Sequence, residues 1–135
     1  MKITADTNIL LRSVLQDDPY QASLAVRALR KADLVAIPLP VLCEYVWVLR
    51  RNFKKPGSAI ANSIEHLISG SNIAVNRPAV EAGLVTLRAG GDFADGAIAY
   101  EGNWLGAEEF ASFDVKAVTL LQAQGIRTRL LPEHP

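Results

Sequence analysis

The sequence is poor in the residues that build disulfides and soft-metal sites. Its 135 residues include one cysteine and two histidines. Cys43 alone forms no internal disulfide and no multi-cysteine zinc site. Long apolar runs are also missing. The longest stretch without a charge, His66 to Asn76, has 11 residues, too few to span a bilayer. An acid stands at position 6, where a signal peptide would need its apolar region. No charge sign dominates: 14 Lys+Arg balance 14 Asp+Glu. That balance excludes a strongly cationic protein that coats nucleic acid or an anionic membrane by bulk charge. These absences predict a soluble, cytoplasmic protein with no membrane association.

What is present is enough apolar material for a core. Half of the residues are hydrophobic and 21% are charged, which sets the chain apart from disordered sequences. Its length predicts a single domain over 1–135. Short strand patterns at 2–5, 34–37, 73–75, 109–113 and 126–130 alternate with helical ones. Pro19, after Asp17 and Asp18, sits where a helix begins, and Leu24, Ala25, Ala28 and Leu29 keep its 3/4 spacing. Pro38 and Pro40 open a helix to about Asn52, and Pro78 opens one that stops at Gly90-Gly91. A helix over Asp92–Trp104 carries Gly96 as a weak point. Trp47 and Trp104 are expected in the core or at a dimer contact. This alternation predicts an α/β domain with a mainly parallel sheet. Ligands of such sheets bind beyond the carboxyl ends of the strands, so acids at strand ends matter most.

Asp6 follows the first strand and Asp114 the fourth. Glu44 lies in an apolar helical stretch, between Cys43 and Tyr45-Val46-Trp47. Asp92 and Asp95 are three apart at a helix start and share a face. Each has a plainer reading: Asp6, Asp92 and Asp114 as N-caps, Glu44 on a solvent face. Asp92 is the better cap of its pair and Asp95 the better ligand. From Ala89 to Val115 there are six acids and no Lys or Arg. Converging carboxylates without a basic partner repel strongly, and a hard divalent cation relieves that repulsion. Oxygen-only donors suit Mg²⁺ or Mn²⁺. Such ions activate water and clamp the oxygens of a phosphodiester.

The opposite sign collects between Arg27 and Lys55, with seven bases against two acids. Arg50, Arg51, Lys54 and Lys55 flank Phe53 in a run able to follow a phosphate backbone. The same run also reads as a solvated helix end, where cations complement the dipole.

Four motifs now stand in order: Asp6-Thr7-Asn8, Val41–Leu49 around Glu44, Asp92-Phe93-Ala94-Asp95-Gly96-Ala97-Ile98-Ala99, and Ser112-Phe113-Asp114. In order and spacing they resemble the PIN-domain ribonucleases over essentially the whole chain. Among these the chain's size and layout are most similar to the VapC toxins of type II (VapBC) toxin–antitoxin systems. The resemblance implies a three-layer α/β/α PIN-like fold with a parallel sheet of about five strands. It implies a Mg²⁺- or Mn²⁺-dependent endoribonuclease that acts on structured RNA, tRNA or rRNA, and leaves a 5′-phosphate and a 3′-hydroxyl. By position, Asp6, Glu44, Asp95 and Asp114 would be the acidic quartet, with Asp92 as an additional acid. Thr7 and Asn8 would orient Asp6 or a metal-bound water, and Ser112 would support Asp114. A homodimer and a cognate VapB-type antitoxin, which pushes a basic side chain into the acidic pocket, are also implied.

The competing reading is a non-catalytic PIN-like module that binds RNA or protein; retention of all four acids speaks against it. An aspartyl-phosphate enzyme fits less well, because Asp6-Thr7-Asn8 lacks the second Asp two residues after the nucleophile. Cys43 has no His in a matching motif and is read as core packing rather than as a nucleophile.

Overall fold

The computed structural model describes residues 1–135. They divide into two units, Met1–Asn76 and Arg77–Pro135. Both are built of short parallel strands joined through helices.

The first unit runs β1 (Lys2–Thr4), α1 (Thr7–Leu15), α2 (Pro19–Lys31), β2 (Leu34–Ala36), α3 (Leu39–Arg51), α4 (Gly57–Ile68) and β3 (Ile73–Ala74). The strands form one parallel sheet with β2 in the centre. Ile3 lies opposite Val35, and Val35 opposite Ile73. A central strand is covered on both faces, so Leu34-Val35-Ala36 reads as a continuous apolar run. Leu10, Val35, Leu42, Tyr45, Leu49, Ile60 and Ile64 form the buried interior.

Local signals set the helix ends. Asp18 accepts the amide of Gln21 at 3.1 Å and Pro19 fills the first turn of α2, which needs no amide donor there. At the other end of α2, the side-chain amide of Asn72 donates to the carbonyls of Leu29 (2.8 Å) and Ala32 (3.0 Å). Those are among the carbonyls that a helix C-terminus leaves without partners. The buried Tyr45 ring carries its hydroxyl to Ser63 at 2.8 Å and ties α3 to α4.

The second unit runs α5 (Arg77–Arg88), α6 (Phe93–Trp104), β4 (Phe110–Ser112), α7 (Val115–Ala123) and β5 (Thr128–Leu130). β4 and β5 pair in parallel, with Ser112 opposite Leu130. Val80, Leu84, Leu87, Phe93, Ala97 and Leu121 fill the interior. α5 and α6 pack closely because two glycines face the contact. A Cβ on Gly83 would fall 2.6 Å from the Phe93 ring. One on Gly96 would fall 2.4 Å from both the Ala82 carbonyl oxygen and Thr86 Oγ1. The weak helix former in α6 is therefore the residue that lets the two backbones approach.

The α/β class and the parallel pairing agree with expectation. The five strands fall into two sheets, of three and of two. The tryptophans depart from it as core residues. Trp47 is 55% exposed and Trp104 75%. Trp47 instead carries the Arg51 guanidinium over its ring, 5.4 Å from the centroid.

Candidate functional site

In the second unit, two of the expected acids, Asp92 and Asp114, act on a third, Asp95. Asp92 caps α6 and accepts the amide of Ala94 at 3.1 Å. Asp114 caps α7 and accepts the amide of Ala117 at 3.1 Å. Each bond engages one carboxylate oxygen and leaves the other with its lone pairs available. Asp95 stands in the first turn of α6, half-buried. Its side chain does not complete a reciprocal capping box; the link to Asp92 is between backbones, amide to carbonyl, at 3.1 Å.

Burial pushes the Asp95 carboxyl above the usual carboxylate range, and the charges of Asp92 and Asp114 push it further in the same direction. All three influences favour its proton, and no cation offsets them.

Ser112 belongs to the same turn. Its hydroxyl accepts the backbone amide of Asp114 at 2.9 Å, which fixes the exit from β4 just before the α7 cap. Thr86, fully buried on α5, stands behind Gly96 with its hydroxyl 3.3 Å from the Ala82 carbonyl and 3.3 Å from Gln124 Oε1. Gln124 Nε2 is buried without a partner. No local sequence signal marks Thr86 or Gln124, because their surroundings come from distant helices.

The first unit presents the remaining acids. Asp6 caps α1, is exposed, and accepts the amide of Ile9 at 3.1 Å. Thr7 is buried beside it and Asn8 is exposed; the Ile9 amide, rather than either side chain, orients Asp6. Glu44 is exposed on α3, which packs against α1. Arg50, Arg51, Lys54 and Lys55 are exposed at and just beyond the end of α3. Cys43 is half-buried.

The donor chemistry of the acidic residues fits a hard divalent cation. The available groups are carboxylate oxygens, and a bound cation would reverse the repulsion now acting on Asp95. In the second unit Asp95 stands within electrostatic reach of Asp92 and Asp114, but no three His, Cys, Asp or Glu are gathered as an ion would gather them. No protein-family model matches the chain, and no curated protein matches it.

Proposed function

We propose that the chain is a metal-dependent endoribonuclease of the PIN type, the toxin of a VapBC-like pair. The observation that carries this reading is Asp95: a half-buried carboxylate destabilised by Asp92 and Asp114 and relieved by no cation of the chain. A group held in that condition is prepared for a positive ligand. The order of the four acidic motifs adds to it.

In this reading Asp6, Glu44, Asp95 and Asp114 hold Mg²⁺ or Mn²⁺, with Asp92 adding charge beside them. An ion held there would supply an activated water and stabilise charge on the phosphodiester oxygens. The caps at Asp6, Asp92 and Asp114 hold those carboxylates at fixed positions. Ser112 holds the backbone that carries Asp114. Exposed cations bind the phosphates of a structured RNA, tRNA or rRNA. The partners are a second copy of the chain and a VapB-type antitoxin whose basic side chain would relieve Asp95 as a metal does. The compartment is the cytoplasm.

The test is purified protein incubated with RNA and Mg²⁺ or Mn²⁺. Cleavage should require the metal and disappear in Asp6→Asn and Glu44→Gln. Cleavage that persists in excess chelator, or survives both substitutions, overturns the mechanism. RNA binding without cleavage in the wild type favours the non-catalytic module.

A further inference from the structure

The cations with the strongest case for contacting a polyanion are not the run at the end of α3. Arg51 already lies over Trp47. A different set lines a groove along α2 beside the C-cap of α1, about 600 Å³ in volume, bounded by Gln16, Ser23, Val26, Arg27, Arg30 and Lys31. Arg27, Arg30 and Lys31 are three and four residues apart on α2, so they share one face. All three are exposed.

The acids nearest in sequence are engaged elsewhere. Asp17 pairs with Arg12 at 3.1 Å, Asp18 caps α2, and Asp33 pairs with the ammonium of Met1. Helix-end stabilisation accounts for Arg30 and Lys31, in the last turn of α2, but not for Arg27. Carbonyls at the end of α2 also receive the Asn72 amide. Arg27 lies a full turn before the end of the helix, where the dipole has faded. Three like charges on one face, without counter-charge and beside a groove, repel each other until an anion joins them.

We infer that this groove binds the phosphodiester backbone of an RNA strand through Arg27, Arg30 and Lys31. The inference rests on the ribonuclease reading for its choice of polyanion. The groove meets α1 at its C-cap, Gln16, while Asp6 caps the other end of that helix. Ten residues of helical rise separate them by about 15 Å.

The test measures binding of a short fluorescein-labelled single-stranded RNA in chelator across a KCl series, so that no cleavage is needed. The wild type is compared with the triple variant Arg27→Gln, Arg30→Gln, Lys31→Gln. Each phosphate contact to a single strand contributes a slope of about 0.7 in log K against log salt, so losing three flattens it by about 2. The affinity loss should be about 100-fold at 0.1 M salt and vanish near 1 M. Arg27→Lys with Arg30→Lys, which keeps the charge, should retain the slope. An unchanged slope, or a loss equal at all salt concentrations, overturns the inference. So does displacement by inorganic phosphate beyond the effect of KCl at equal ionic strength, which marks a point site. Displacement by poly-glutamate as readily as by unlabelled RNA marks an acidic protein surface and overturns it too. A flattened slope in a chain that never cleaves RNA refutes the nuclease reading alone. Cleavage with an unchanged slope refutes the groove alone.

Discussion

Replacing Gly96 by alanine puts a methyl group where α5 leaves no room. The new Cβ meets the Ala82 carbonyl oxygen and Thr86 Oγ1 at 2.4 Å, whereas ordinary contact begins at 3.4 Å. Ala82 offers backbone, which cannot turn aside as a flexible side chain can. The two helices must therefore separate by about 1 Å, enough to loosen contacts along the pair. Gly83 against Phe93 is the next of these. Overpacking of this kind costs about 1–3 kcal/mol. Alanine returns about 1 kcal/mol through its better helix propensity. A net loss of up to about 2 kcal/mol is expected. The internal control is Gly102, in the same helix, where a Cβ meets nothing within 4 Å. Gly102→Ala should stabilise by about 0.5–1 kcal/mol. Urea unfolding with equal m-values reads both changes on one scale. The same substitution thus has opposite signs at two positions six residues apart in one helix. A Gly96→Ala variant stabilised as much as Gly102→Ala would refute the packing argument.

Substitutions at two further positions separate charge from structure. Folded Asp95 holds its proton above the ordinary value of 3.8, so the folded chain binds more protons than the unfolded chain once the pH passes that value. Stability is then lost as the pH rises through the folded value. Asp95→Asn removes that loss, so in chelator the variant should be the more stable protein at pH 7, with the gap closing in acid; a thermal-melt series at stepped pH checks it. At Asp114, asparagine caps a helix about as well as aspartate while alanine costs about 1 kcal/mol. Asp114→Asn should keep the thermal stability and lose cleavage, whereas Asp114→Ala should lose both, as paired melts and RNA digests would show.

The elements were legible where punctuation was local. Pro19 after Asp18 and Gly90-Gly91 after Arg88 mark ends that depend on a few neighbouring residues. The strands were legible as parallel because helices separate them, but their division into sheets depends on pairings that no local pattern carries. Asp92 and Asp114 read as caps and also act on Asp95, so the plain and the functional readings coexist. Gly96 read as a flaw because propensity describes one helix, while its reason lies in Ala82 on another. Trp47 and Trp104 read as core or dimer contacts by residue type, and their exposure in the chain excludes only the first of these. The groove beside Arg27, Arg30 and Lys31 depends on α1 meeting α2, and on Asn72 arriving from 40 residues away to occupy the helix end.

The caps at Asp6, Asp92 and Asp114 also narrow the routes by which this chain can drift in sequence. Glutamate carries the same charge and binds the same ions, and would pass as a conservative exchange on an exposed surface. At these three positions its extra methylene moves the carboxylate beyond the amide that now fixes it. The backbone would lose its acceptor at the same moment as the carboxylate lost its orientation. The cap at each site thus admits aspartate, asparagine or serine and excludes glutamate, so exchange there follows side-chain reach rather than charge.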